Sequence, residues 1–362
     1  MSISCVDDAE MSINSGLQSI NIPKRLEHSC RYTVDGRYLF SSSSTRLQIS
    51  DIFHSKTRYF EFQFSPKLLV NGHVCTFTSK PSVDDLYPLN LDSVLMSFND
   101  KSYSGSSLYL GVGRVDLEKS VVFVEQAIYH NGYTFNASWI PSSFPPDLKS
   151  GILYQGMFNY PSCCGYIALQ TDERGILRKT SVIEKPVRTE AFAVKNEFVY
   201  GLAERTEIME VIGIDMMTLN LSTGKIIRQP TSNWEELKDL YRWQIFTVVG
   251  KHFFTHLHSQ SDNTSFLVSL DTESLEWKIR LTLNGRIDEL ISDRTRTLIV
   301  RVRTNPKDPS VVQYYRFVMD GPEKLSTLAW LQLNKMFADC PSLYESVLRK
   351  LPATFNLKYT PL

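Results

Sequence analysis

Phe266-Leu-Val-Ser-Leu-Asp-Thr-Glu-Ser-Leu-Glu-Trp277 is the stretch that decides the fold: an apolar run enters an Asp-Thr turn and leaves it as a second run carrying a tryptophan. The same order of apolar run, polar turn and apolar run occurs six times along the chain. One polar residue from each turn serves as a marker: Asp51, Asp116, Gln170, Asn220, Asp271 and Asp320. Successive markers are 65, 54, 50, 51 and 49 residues apart, so the later ones repeat at about fifty residues.

A repeat of this length is typical of the blades of a β-propeller. Between the markers the segments are short and rich in Tyr, Phe, Val and Ile, with turn-forming residues nearby, which predicts strands. We therefore predict an all-β fold, a single β-propeller of six blades, or of seven if the long first step contains a degenerate blade. That long step also predicts an inserted loop, for which residues 80–90, with two prolines, are the natural place.

The pattern divides the chain into three parts. Residues 1–25 are polar and unpatterned and are predicted to be disordered or peripheral. Residues 26–330 are predicted to form the propeller, and residues 331–362 a C-terminal helix and tail. Apolar residues at helical spacing in residues 232–243 predict one further helix, in a loop between blades.

Composition narrows the function classes. The chain has 362 residues, of which 42% are hydrophobic, enough for a full core. Its 39 Lys and Arg residues balance 39 Asp and Glu residues, so the zero net charge argues against nucleic acid or an anionic membrane as partner. No secretory signal or membrane span is recognisable, and six cysteines scattered over a large chain are typical of a reducing compartment. We expect a cytoplasmic protein, with a nuclear location left open.

The segment His252-Phe-Phe-Thr-His-Leu-His258 carries the best candidate for metal chemistry. With the two-residue period of a strand, His252, His256 and His258 share one face, and imidazoles spaced in this way can share a zinc ion. The alternative is a strand whose histidine face meets solvent or the central channel. The sequence contains no nucleophile motif and no phosphate-binding loop, and we predict no cofactor.

A second candidate site lies in the strand Thr297-Leu-Ile-Val-Arg-Val-Arg303. Arg301 and Arg303 fall on one face of this strand, opposite Leu298, Val300 and Val302. Such a pair would suit a carboxylate or an acidic peptide, because each guanidinium can donate two parallel hydrogen bonds. The alternative is a solvent-exposed outer strand.

The turn pattern, above all residues 266–277, resembles the kelch type of propeller blade, in which an apolar strand runs into Asp, a Thr/Ser turn and a strand with Trp. The resemblance covers roughly residues 30–330. Adjacent glycines, which kelch blades normally carry, are absent from this sequence.

The C-terminal segment departs from the strand pattern. Leu343, Val347 and Leu351 lie on one helical stripe behind a Ser342 cap, which predicts a helix docked on the propeller. Residues 342–351 also resemble an elongin-binding box of ubiquitin-ligase substrate receptors. Leu351, Pro352 and Phe355 likewise resemble the adjoining cullin-2 box. This resemblance implies elongins B and C and cullin-2 as partners.

We therefore predict a non-catalytic protein-interaction scaffold, not an enzyme, that acts as a substrate receptor of a cullin-type ubiquitin ligase. The residues predicted to bind proteins are Arg301, Arg303, Leu343, Val347, Leu351, Pro352 and Phe355. The alternative is a metal-binding or enzymatic propeller centred on His252, His256 and His258.

Overall fold

Antiparallel groups of four strands make up the structure of this chain. The structure is a computed structural model, and it describes residues 18–20, 22, 25–26, 28–77, 79–99, 107–131, 135–140, 152–158, 163–171, 177–185, 190–195, 198–207, 210–220, 222–235, 237, 246–259, 261–294, 296–305, 307–308 and 310–319. Secondary structure in these residues is all β. The prediction of an all-β chain is therefore confirmed, whereas the C-terminal helix predicted for residues 331–362 lies outside the described residues.

In the described residues, six four-stranded units follow one another along the chain. Unit 1 contains β2 (His28–Val34), β3 (Tyr38–Ser42), β4 (Arg46–Asp51) and β5 (Lys56–Val70); unit 2 contains β7 (Ser82–Pro88), β8 (Ser93–Asn99), β9 (Ser107–Asp116) and β10 (Val121–Asn131); unit 3 contains β11 (Phe135–Ile140), β12 (Ile152–Phe158), β13 (Cys163–Thr171) and β14 (Leu177–Lys185). Unit 4 contains β15 (Glu190–Lys195), β16 (Phe198–Glu207), β17 (Glu210–Asn220) and β18 (Ile226–Pro230); unit 5 contains β19 (Phe246–Val249), β20 (His252–Ser259), β21 (Thr264–Asp271) and β22 (Trp277–Asn284). Unit 6 contains β23 (Arg286–Ser292), β24 (Thr297–Arg303), β25 (Val312–Val318) and, from the other end of the chain, β1 (Gln18–Ile20).

The first strands of the six units contact one another in succession, and the last of them returns to the first. The contacts run from β2 to β7, β11, β15, β19 and β23, and from β23 back to β2. The units are thus arranged as a closed ring with their first strands innermost, which is the arrangement of a β-propeller.

Ring closure uses the N-terminal strand. Ser19 and Ile20 of β1 pair with Tyr315 and Tyr314 of β25, so the two ends of the chain share one sheet. This strand lies within the segment predicted to be disordered or peripheral. Ile20 packs beside Tyr314 against the core between units 6 and 1. This contact could not be predicted from the sequence, because the segment around Ile20 is short and polar.

The repeat found in the sequence is the turn between the third and fourth strands. Asp51, Asp116, Asn220 and Asp271 each end the third strand of their unit. In each turn the marker's Oδ1 accepts hydrogen bonds from groups two and three residues later, for example from the backbone N–H groups of Glu273 and Ser274 at 2.8 and 3.2 Å from Asp271. A side chain that satisfies the turn in this way favours Asp and Asn at this position.

Each of these four turns also has a left-handed residue four positions after its marker. The residues are Ser55, Ser120, Gly224 and Leu275, with φ between 52° and 69°. Glycine adopts this conformation without a steric penalty, and the other three side chains do not.

The prediction of an inserted loop at residues 80–90 is wrong. Residues 82–88 form β7, the innermost strand of unit 2. The extra length of the first step lies instead in β5, which continues into a hairpin with β6 (His73–Cys75). β5 also pairs in parallel with β10, which joins the outer strands of units 1 and 2. The loop helix predicted over residues 232–243 lies mostly outside the described residues.

Substitutions at two equivalent positions of the repeated turn should change the free energy of unfolding in opposite directions. Replacing exposed Ser55 by Gly should raise the free energy of unfolding by about 0.5–1 kcal/mol, because the strained left-handed conformation is relieved. Gly224→Ala should lower it by about 1 kcal/mol for the converse reason. Urea unfolding of both variants measures the two effects, and changes of the same sign would contradict this account of the turn.

Candidate functional site

The histidine strand has the two faces predicted for it. β20 lies between β19 and β21 in unit 5. Phe253 and Leu257 pack with Leu202 and Met216 of unit 4, whereas Phe254 packs with Ile287 of unit 6. The histidines share the face of Phe254, so they lie between units 5 and 6 and not on an exposed surface.

The three histidines do not converge on one point. His252 Nδ1 lies 4.0 Å from Asp271 Oδ2 at one end of β20, and His258 Nδ1 lies 3.0 Å from Ser265 Oγ at the other. Within the described ranges, no group of three or more His, Cys, Asp or Glu side chains is placed to hold a metal ion. The geometry therefore assigns these histidines to the packing of two units.

Burial dominates the electrostatics of His256. The residue is 4% exposed and its Nδ1 makes no hydrogen bond. Burial, followed by the positive charges of Arg286 and His258, lowers the pKa of His256 to about 4, and Asp288 partly opposes this shift. The imidazole is neutral at physiological pH.

Arg301 and Arg303 lie on an interior strand. β24 pairs with β23 on one side and β25 on the other, so the alternative of a solvent-exposed outer strand is wrong. Arg303 Nε donates a hydrogen bond to Asp288 Oδ2 at 3.0 Å, and Arg301 stands opposite Glu289 in the sheet register. Both arginines are half-buried. A role for them in protein binding stays a prediction, and Leu343, Val347, Leu351, Pro352 and Phe355 lie outside the described residues.

Asp51 holds a buried arginine and a histidine at the corner of unit 1. Arg37 donates two hydrogen bonds to its carboxylate, at 3.1 and 2.6 Å, and His54 Nδ1 lies 2.7 Å from Oδ2. Burial by itself would raise the pKa of Asp51, but the hydrogen bonds from His54 and Arg37 outweigh it and lower the pKa to about 2. Arg37 and Asp51 therefore form a structural ion pair, because the carboxylate of Asp51 neutralises the buried guanidinium of Arg37.

A different buried arginine has no such partner. Arg294 follows β23 and is 3% exposed, with its guanidinium carbon 5.6 Å from the ring centroid of Tyr32 and 4.8 Å from that of Tyr87. Its Nη1 donates to the carbonyl of Pro88 at 3.1 Å, and its Nε makes no hydrogen bond. We call Tyr32, Tyr87, Pro88 and Arg294 the Arg294 cluster.

The Arg294 cluster joins three units at one end of the ring. Tyr32 lies near the end of β2, Tyr87 near the end of β7, and Arg294 just beyond the end of β23. Tyr32 is paired in register with Ser292, and its ring centroid is 5.1 Å from that of Tyr87. We call this end of the ring, where the first strands finish, the first-strand end.

Sequence reasoning missed this cluster. Arg294 stands a few residues before the arginine pair that the strand pattern singled out, and nothing in its neighbours marks it as special. Its environment comes from residues more than two hundred positions earlier, so no local pattern could have found it.

Comparison with known proteins finds similar solved structures and no related sequence. No protein family model matches the sequence, and no curated protein matches it. Among solved structures, the β-propeller domain of the Trilobed protease from Pyrococcus furiosus is similar over 80% of this chain and 79% of that one, at 9% identity and a TM-score of 0.42. Prolyl oligopeptidase B from Galerina marginata matches 82% of this chain at 9% identity and a TM-score of 0.45, and Pyrococcus horikoshii acylaminoacyl peptidase matches 77% at 10% and 0.43. This chain spans 49% and 42% of those two proteins.

The comparisons contradict the predicted function. The matched structures include several prolyl endopeptidases and an acylaminoacyl peptidase, which are enzymes, so the prediction of a non-catalytic scaffold that is not an enzyme is wrong. A propeller repeat did not justify that prediction, because this fold carries many unrelated activities. At these identities the similarity concerns the fold, and it assigns no peptidase activity to this chain. The described residues also contain no helix long and apolar enough to cross a membrane.

His256 makes the stability of the protein depend on pH. The unfolded chain binds a proton at this residue near pH 6.5 and the folded chain only near pH 4, so stability is lost as the pH falls between these values. The loss should be roughly 3 kcal/mol for this residue. His256→Leu should flatten the dependence of the urea midpoint on pH in this window, whereas His73→Gln, at an exposed position, should not. The same slope in His256→Leu and the unchanged protein would contradict the assignment.

Proposed function

We propose that this chain is a six-bladed β-propeller that binds its ligand at the first-strand end of the ring. The six four-stranded units and the closed succession of contacts between their first strands support the blade count. The Arg294 cluster carries the assignment of the binding end, because side chains from three units meet there.

Convergence of this kind is a property of binding sites more than of blade packing. Packing within a propeller repeats from unit to unit, as the third-to-fourth-strand turns do here. In the Arg294 cluster, the two aromatic rings come from other units than the arginine, whereas the rings of Tyr38 and Phe53 beside buried Arg37 belong to the same unit as Arg37. Rigid strands around a shared opening hold such groups at a constant separation, which favours recognition.

Three earlier predictions remain untested beside this proposal. The kelch type of blade, the partners elongin B, elongin C and cullin-2, and the cytoplasmic location stay predictions. The partner prediction rests on residues 342–359, so a chain that ends at residue 341 is the matched variant for its test by affinity purification.

Hydrogen exchange of the purified chain tests the binding end. The probes are four classes of small molecule: neutral sugars, polyamines, short peptides with both ends blocked, and the carboxylates acetate and succinate. We expect at least one class to slow exchange in residues 30–34, 86–90 and 290–294 while the outer strand β18 stays unchanged. Slowed exchange at β18 alone, or no change with any class, would overturn the proposal.

A further inference from the structure

Arg294 is a buried cation without a counter-ion among the described residues. Its guanidinium donates to the neutral carbonyl of Pro88 and lies beside the phenol of Tyr87, and no carboxylate in the described ranges forms an ion pair with it. Burying an ion without a partner costs more free energy than a desolvated cation–π contact returns. The tyrosine rings therefore offset the cost only in part.

Cys30 and Tyr87, two ionisable groups near Arg294, do not supply the missing charge. Burial raises the pKa of Cys30 to about 12, so its thiol is neutral and bonds to the carbonyl of Leu86. Burial also raises the pKa of Tyr87, which keeps its phenol protonated. Both groups near Arg294 are hence uncharged at physiological pH.

Two other buried arginines of this protein have carboxylate partners. Arg37 pairs with Asp51 at 2.6 Å, and Arg25 pairs with Glu289 at 2.7 Å. The charges of these two guanidinium groups are thus neutralised, whereas Arg294 has aromatic rings beside it instead.

The backbone of Arg294 is held in an unfavourable conformation. Its φ is +67°, in the left-handed region that costs energy for a residue with a long side chain. Unit 5 fixes it there, because the N–H of Gly250 donates to the carbonyl of Arg294 at 2.9 Å. The N–H of Arg294 donates to Ser292 Oγ at 2.7 Å, and that hydroxyl donates to the carbonyl of Val248. Arg294 thus combines a buried charge with a strained backbone, and unfavourable local features of this kind often occur at binding sites.

We propose that Arg294 receives the carboxylate group of a ligand at the first-strand end, with Tyr32 and Tyr87 holding the plane of its guanidinium. The inference rests on the proposed function and names the chemical group that the site takes. The unpartnered Nε–H is a donor for one carboxylate oxygen, and a charge-assisted bond of this kind is about twice as strong as a neutral one. Small carboxylic acids and the free C-terminus of a peptide both supply this group.

The test compares carboxylates with their neutral amides on the full chain. Thermal unfolding and titration calorimetry are run with succinate, succinamide, and a short peptide with either a free or an amidated C-terminus. The variants are Arg294→Gln, which removes the charge, and Arg294→Lys, which keeps the charge but loses the planar donor. Arg46→Gln is the matched control, because Arg46 is an exposed arginine with its side chain 57% accessible.

We expect succinate, and not succinamide, to raise the unfolding midpoint of the unchanged protein. Arg294→Gln should bind carboxylate at least about tenfold more weakly, Arg294→Lys should fall between, and Arg46→Gln should match the unchanged protein. Without ligand, Arg294→Gln should unfold at the same temperature or higher, since it removes an unneutralised buried charge. If the peptide with a free C-terminus binds more tightly than succinate, the carboxylate belongs to the end of a peptide. If succinate binds more tightly, the ligand is a small carboxylic acid.

Two results would overturn the inference. One is an equal response of the unchanged protein to succinate and succinamide, which needs no variant to fold. The other is an Arg294→Gln variant that is destabilised without ligand and still responds to succinate, because Arg294 would then have a structural partner within the chain. Slowed exchange at the first-strand end with sugars, polyamines or blocked peptides, but not with carboxylates, would leave the proposed function standing and remove only this inference.

Discussion

One hydrogen-bonded turn recurs through the ring, and the rest of the structure depends on it. In the turn between the third and fourth strands, an Asp or Asn oxygen accepts groups two and three residues later, and the chain then passes through a left-handed residue. The turn brings the fourth strand back against the third in register. Because units 1, 2, 4 and 5 are closed by the same turn, neighbouring units can repeat one arrangement, with their first strands in contact around the ring.

Charge is distributed unevenly in this ring. Two buried cations are neutralised by carboxylates: Arg37 by Asp51 within unit 1, and Arg25 by Glu289 of unit 6. At the first-strand end, Arg294 is stacked between two tyrosines without an ion-pair partner in the described part of the chain. At this end, three units meet around a buried guanidinium that has two aromatic rings beside it.

The sequence predicted the strands better than it predicted the site. The alternation of β20 and the capped turn after Asp271 are local properties, since side-chain direction and turn chemistry depend on residues a few positions apart. The histidines and the arginine pair were singled out by the same local pattern, but alternation places side chains on a face without saying what the face meets. Unit 6 covers the histidine face, and Asp288 takes up Arg303. Both candidate sites take part in the packing between strands and units, and protein binding by Arg301 and Arg303 stays a prediction.

By itself, the sequence determined the all-β class, the repeat near fifty residues and the residues that cap each turn. These follow from contacts within a single unit. Only the tertiary structure decided that residues 18–20 close the ring, that residues 82–88 form an inner strand, and that Tyr32, Tyr87 and Arg294 meet. These features join residues far apart in the chain, and their free energy depends on burial and charge that arise only when the units are assembled.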